Sequence, residues 1–193
     1  MRKNIREWLL TLCLSTSFLF LNASIVLAEG DITRKGFEMG GYVGYGLVNV
    51  KTDNFERGSY GTFALGFQGG YAVTPSSIIG LEVNGWTLKA YNYQDPSEGE
   101  SVSNVSLFLN YFPLNTVPLY ISFGGGQVSY TNNSPGVDGR DKGVSWFLGS
   151  GYELSLASNI MMAPQIRYSQ GNITDGNFGV LEFSIGMHWY ENK

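Results

Sequence analysis

His188, the one histidine of the chain, is the first candidate for catalysis, because acyl transfer needs a nucleophile within reach of a base. No serine follows it two positions later. Ser184 lies on the same strand face, but four residues of extended chain separate the two side chains by about 13 Å. We therefore predict that the chain has no catalytic residues and is not an enzyme.

Phosphate-binding and metal-binding motifs are the next candidates. The glycine clusters at 40–46 and 123–127 have the composition of phosphate loops, but they alternate like strands and no Gly-Lys-Ser/Thr follows. The acidic residues of the polar connections lack the spacing of an EF-hand loop. These residues are Asp53, Glu56, Asp95, Glu98, Glu100, Asp138 and Asp141. We predict no cofactor and no metal site.

Residues 1–28 have the three-part form of a secretory signal peptide. A basic start precedes an apolar run from Trp8 to Leu21, and Ala28 closes a small-residue cleavage motif. An uncleaved anchor is the alternative, but the apolar run is short for a bilayer span. We predict export, cleavage after Ala28 and one mature domain over residues 29–193. Cys13, the only cysteine, would leave with the signal, so no disulfide would stabilise the fold.

Alternation of apolar and small or polar residues runs through the rest of the chain. In residues 60–73, for example, Phe63, Leu65 and Phe67 alternate with Ala64 and Gly66, which indicates a β-strand with two unlike faces. Eight such segments are predicted, near residues 36–50, 60–73, 78–93, 103–113, 118–131, 144–157, 160–170 and 177–190. Their connections are alternately short and long, so we predict an all-β, eight-stranded antiparallel up-and-down barrel.

The two faces of the strands decide between a soluble barrel and a transmembrane barrel. In the last strand, Leu181, Phe183, Ile185 and Met187 form a bulky apolar face, and the opposite face is small or polar. A soluble barrel would expose Lys, Glu and Thr, whereas small residues fit a narrow lumen. We therefore predict that the bulky face contacts lipid.

The small-and-polar face places ionisable residues inside the barrel. The predicted polar network of the lumen consists of Arg167, Glu182, Glu153, Glu82 and Glu38. Strand pairing places Arg167 opposite roughly residue 180, so Glu182 is its expected partner and Glu153 a second candidate. Tyr42, Phe108 and, with a slip in the alternation, Trp86 are expected to fill the remaining space.

The closing strand resembles the C-terminal assembly signal of bacterial outer-membrane barrels, with Ser184, Gly186 and Trp189 matching its pattern. The chain departs from that pattern where it continues to Glu191-Asn192-Lys193. Nearly all of residues 36–190 resembles the small outer-membrane β-barrel superfamily of the OmpA, OmpX and opacity-protein type. The resemblance implies a multi-pass protein of the bacterial outer membrane, with the barrel-assembly machinery, lipids and lipopolysaccharide as partners.

The function expected from the resemblance is a structural or surface-interaction role, adhesin-like, through long extracellular loops of a monomer. One alternative is a narrow pore for small or apolar solutes of the OmpW type, and a less favoured one is a lipid A-modifying acyl hydrolase or transferase. Arg57, Arg140 and Lys142 are candidate contacts to lipopolysaccharide phosphates. The formal charge of −4 argues against nucleic acid as a partner. The extracellular ligand is left open.

Overall fold

The computed structural model describes residues 34–52, 55–90, 99–114, 116–134, 137–173 and 176–191. The predicted signal peptide, residues 1–28, lies outside them. The strands are β1 (Gly36–Thr52), β2 (Phe55–Thr74), β3 (Ser77–Ala90), β4 (Gly99–Tyr111), β5 (Leu119–Ser134), β6 (Val137–Tyr152), β7 (Leu154–Ala157), β8 (Ile160–Ile173) and β9 (Gly176–Tyr190). Over the described ranges, no helix has the length and hydropathy needed to span a membrane.

The strands form one closed antiparallel barrel. Each strand pairs with the next along the chain, and β9 pairs with β1. β6 and β7 make up a single barrel strand, because both pair with β8 and only Glu153 interrupts them. The barrel therefore has eight strands in up-and-down order, which confirms the predicted fold class.

The stagger of the barrel follows from its register. We start at Glu38 on β1 and step from each residue to its ladder partner on the next strand. This path passes through Phe108 and Phe147 and reaches Val180 on β9, which pairs with Val48 on β1. The circuit ends ten residues further along β1 than it began. For eight strands, this shear corresponds to a strand tilt of about 40°, within the range usual for barrels. The interior is then just wide enough for side chains.

The two faces of the strands lie as predicted. The bulky apolar residues point outward and are about half exposed, for example Leu107 at 63% and Phe67 at 62%. The small residues point inward and make room for the few large ones. A Cβ atom added at Gly66 would lie 2.2 Å from Cζ of Tyr42. The outward face is a lipid-facing belt, because no soluble protein exposes apolar surface around its whole circumference.

The connections at one end are shorter than predicted. The hydrophobic pattern predicts loops at residues 51–59 and 132–143. In the structure β1 continues to Thr52, β2 begins at Phe55, and β5 and β6 extend to Ser134 and Val137. Backbone hydrogen bonds of a hairpin do not depend on apolar side chains, so polar segments continue the ladder beyond the lipid-facing belt. We call this end the hairpin end and the opposite end, with both termini of the barrel, the short-turn end.

Candidate functional site: the lumen of the barrel

An ion pair crosses the middle of the lumen. Arg167 on β8 donates from Nη2 to Oε2 of Glu82 on β3 at 2.8 Å and from Nη1 to Oε1 at 2.5 Å. Nη1 also donates to the hydroxyl of Tyr42 at 2.8 Å, and the guanidinium lies over the ring of Phe147, 4.3 Å from its centroid. Both charged side chains are almost fully buried. The bidentate geometry makes this pair a strong cross-link between opposite walls of the barrel.

The expected pairing of Arg167 with Glu182 is wrong. The sequence predicts that strand pairing places residue 180 opposite Arg167, but Glu182 itself lies directly opposite it in the β8–β9 ladder. The oxygens of Glu182 instead accept hydrogen bonds from Nε1 of Trp86 and from the hydroxyl of Ser184, each at 2.8 Å. Trp86 points inward, as expected. The register of the β3–β4 ladder shifts after Trp86, between Thr87 and Lys89. Because Glu182 is already satisfied, the long guanidinium extends across the lumen.

Glu153 is not a partner of Arg167 either. It lies at the short-turn end, where Nε of Arg34 donates to its Oε2 at 2.9 Å and the hydroxyl of Tyr190 donates to its Oε1. Nδ1 of His188 lies 3.4 Å from Oε1 of Glu153 and 3.7 Å from Oε1 of Glu38. We call this cluster of side chains the short-turn mouth.

Two charged residues of the described lumen, Glu100 and Arg34, were missed by sequence reasoning. The hydrophobic pattern assigns Glu100 to a polar connection, but β4 begins at Gly99 and the side chain of Glu100 points inward, where it is buried. The second residue is Arg34. It precedes β1, so strand alternation assigns it no face. Its side chain nevertheless lies inside the barrel and is 2% exposed. The only sequence signal is the neighbouring Gly36, whose φ of +77° lets the chain turn into the mouth.

An apolar cluster of side chains fills the lumen near the hairpin end. Nine buried side chains pack together there, with Tyr130 against them. They are Val48, Ala64, Trp86, Leu88, Val102, Val128, Ile173, Phe178 and Val180. The lumen is therefore layered, with an apolar cluster below the hairpins, an ion pair in the middle and a polar mouth at the short-turn end.

The candidate lipopolysaccharide contacts lie at the hairpin end. Arg140 and Lys142 are exposed on β6 and continue the outward face of Val144 and Trp146. Arg57 pairs with Val50 through its backbone, and its side chain is outside the described part of the chain.

Among the residues of the resembled assembly signal, Ser184 points into the lumen and Trp189 points outward. Gly186 pairs with Tyr42 of β1, so all three lie along the seam that closes the barrel.

The two residues considered for acyl transfer have other partners in the lumen. His188 faces carboxylates, and the hydroxyl of Ser184 donates to Glu182, so the two residues first considered for acyl transfer do not form a nucleophile–base pair. Within the described ranges, no group of three or more His, Cys, Asp or Glu side chains is arranged to hold a metal ion.

A closed barrel with an apolar exterior and a layered polar interior defines a transmembrane β-barrel of a bacterial outer membrane. The family model for the outer membrane protein beta-barrel domain matches residues 12–189, and the chain belongs to this family. It is a multi-pass protein of the outer membrane. A search of curated proteins gives no match to this sequence.

Two solved structures illustrate the shared fold. Neisserial surface protein A is 16% identical, with a TM-score of 0.58, and the alignment covers 81% of this chain and 97% of that one. Ail, the attachment invasion locus protein of Yersinia pestis, crystallised with the heparin analogue sucrose octasulfate, is 14% identical with a TM-score of 0.50. That alignment covers 80% of this chain and 99% of Ail.

Proposed function

We propose that this protein is a non-enzymatic outer-membrane barrel whose role is structural and adhesive, through the hairpins that project from the cell. The observation that carries the proposal is the contrast between a filled lumen and extended hairpins. The lumen is occupied by packed side chains at all three of its levels. Because the lumen is filled, the residues that project beyond the lipid are the part of the barrel available to bind other molecules.

The β5–β6 hairpin extends well beyond the lipid-facing belt. The outward residues of β6 are apolar through Val144, and then become Lys142 and Arg140. From Val144 to Val137 the strand rises about 23 Å along its own axis, and the tilt reduces this to about 17 Å above the belt. Short periplasmic turns are usual for this class, so the hairpin end faces outward.

Lipopolysaccharide is the proposed lipid partner at this boundary. Arg140 and Lys142 lie directly above the apolar face of β6, where phosphates of the outer leaflet would meet them. Assembly of the barrel would depend on the β9 strand through Ser184, Gly186 and Trp189, and we expect a monomer. Residues 29–193 would be the mature domain after removal of the signal.

The test of the adhesive role is a shortened hairpin. Replacing residues 132–139 by Asn-Gly joins the paired residues Thr131 and Arg140 through a two-residue turn. Cells that export the intact barrel should attach to immobilised heparin or to an epithelial monolayer more than cells without it. The short variant should lose that attachment while still showing the heat-dependent gel migration of a folded barrel. Equal attachment by the two forms would reject the adhesive role.

A narrow path for apolar solutes is the second candidate, favoured by the apolar cluster at the hairpin end. Bilayer conductance and uptake of an apolar solute into proteoliposomes test it, because a path through the barrel would raise one or both. Mass spectrometry of lipid A from cells with and without the protein tests the enzymatic alternative.

A further inference from the structure

The short-turn mouth holds a guanidinium group in a built site. The ring of Phe112 lies flat beneath Arg34, with Cζ 3.4 Å from the ring centroid. Nε donates to Oε2 of Glu153 at 2.9 Å, and Nη2 lies 2.9 Å from the same oxygen without the alignment of a hydrogen bond. A flat ring below and a carboxylate at the edge suit a planar cation better than an ammonium ion.

The walls of the site are held in place without Arg34. The amide of Phe112 donates to the carbonyl of Ser76 at 2.9 Å, and its ring packs on Tyr120 with centroids 5.4 Å apart. Glu153 is fixed by the hydroxyl of Tyr190 and by its amide, which donates to the carbonyl of Pro118 at 2.9 Å. The site therefore does not depend on the segment that fills it.

The segment before β1 enters the mouth through a glycine. Gly36 has a φ of +77°, which other residues rarely adopt, and a Cβ there would lie 3.0 Å from Oε2 of Glu191. The amide of Glu191 donates to the carbonyl of Phe37 at 2.8 Å, so the first and last residues of the barrel are tied together at this point. The side chain of Arg34 is thereby directed into the lumen, while Lys35 is exposed.

We propose that the short-turn mouth is a guanidinium-binding site and that Arg34 occupies it as an internal plug. The ligand class is a guanidinium ion or the side chain of an arginine. With Arg34 in place the mouth is closed, because its guanidinium fills the space between Phe112 and Glu153. Displacement of the segment would open the lower lumen to water and leave the site free for an arginine of another molecule.

The experiment measures access to the lower lumen with a thiol reagent. Ser122 points inward on β5 and is 3% exposed. The mature domain would lack any other cysteine, so Ser122→Cys provides a single reporter. In the detergent-solubilised folded barrel, we expect a small charged methanethiosulfonate to react at least tenfold faster when Arg34→Ala is added. Millimolar guanidinium chloride should slow that reaction again, whereas equal sodium chloride should not.

Two controls separate the site from a general loss of structure. Lys35→Ala removes the adjacent exposed cation and should leave the labelling rate unchanged. Phe112→Leu in the Arg34→Ala background should abolish the protection by guanidinium, because the stacking face is gone. If Arg34→Ala fails to fold, Arg34→Lys serves instead, with faster labelling expected because an ammonium ion cannot match the planar fit.

The proposal is overturned by either of two results in folded protein. One is a labelling rate that Arg34→Ala, or Arg34→Lys in its place, leaves unchanged. The other is protection of the reporter by sodium chloride equal to that by guanidinium chloride. Folding is read from heat-dependent gel migration in every variant.

Discussion

Arg167 and Glu182 lie directly opposite each other in the β8–β9 ladder, yet the guanidinium of Arg167 hydrogen-bonds with Glu82 on the far side of the lumen. Adjacency in a ladder therefore does not decide which charges pair in this interior. The width of an eight-stranded barrel lets a long side chain span it, so the partner is chosen by hydrogen-bond satisfaction.

The first prediction concerns that cross-lumen pair. Arg167→Ala and Glu82→Ala should each lower the free energy of unfolding by about 3–5 kcal/mol, because each leaves a buried charge without its partner. The double variant should lose clearly less than the sum. Urea titration of the barrel in lipid vesicles gives the coupling energy. In a parallel cycle, Arg167 and Glu182 should show a much smaller coupling, and the reverse order would contradict the assigned partners.

The second prediction concerns the acceptor of Trp86. Glu182→Ala should cost about 1–3 kcal/mol, because it leaves the indole N–H buried without a partner. Glu182→Gln keeps an acceptor oxygen and should cost less. Urea titration followed by tryptophan fluorescence measures both variants. Equal losses for Ala and Gln would show that the charge of Glu182 matters and the hydrogen bond does not.

The third prediction uses two glycines of β2 as a matched pair. A Cβ at Gly66 would lie 2.2 Å from Cζ of Tyr42, whereas at Gly69 the nearest atom is 4.0 Å away. Gly66→Ala should therefore destabilise the barrel by about 1–3 kcal/mol, and Gly69→Ala should have little effect. Adding Tyr42→Leu to Gly66→Ala should relieve the overlap but lose the hydroxyl that contacts Arg167. If Gly66→Ala leaves the free energy of unfolding unchanged, Tyr42 does not pack against Gly66 as described.

The fourth prediction concerns orientation in the membrane. A cysteine at Arg140, exposed at the hairpin end, should react with an impermeant thiol reagent in intact cells. One at Ser158, exposed in the last short turn, should react only after the outer membrane is opened. Labelling of the Ser158 variant alone in intact cells would place the barrel in the opposite orientation.

The fifth prediction concerns lipopolysaccharide. Replacing Arg140 and Lys142 together by glutamine should weaken retention of lipopolysaccharide by the purified barrel. Each charge-assisted contact to a phosphate contributes about 1.5–3 kcal/mol where it forms. Co-purified lipid A phosphate, assayed per barrel, measures the effect. The matched control is Lys35→Gln, a cation at the opposite end, which should leave the retained lipid unchanged.

The sequence by itself determined the class of fold and the direction of the strand faces within the eight predicted segments. A period of two is a local property of the chain, so Phe63 and Phe67 are assigned outward, and Gly66 inward, without knowledge of their neighbours. The placement of Glu38, Glu82, Glu153, Arg167 and Glu182 inside the barrel follows from the same rule. The apolar outward face then required a lipid environment.

Only the tertiary structure decided how the interior charges pair and how the lumen is closed. The shear of the barrel sets which residues meet across the lumen, and it depends on the register of all eight strands together. Arg167 therefore pairs with Glu82, and Glu153 is left to Arg34, a residue outside any strand. The lengths of the hairpins also had to be observed, because backbone hydrogen bonds continue a ladder through polar residues that a hydrophobic pattern assigns to loops.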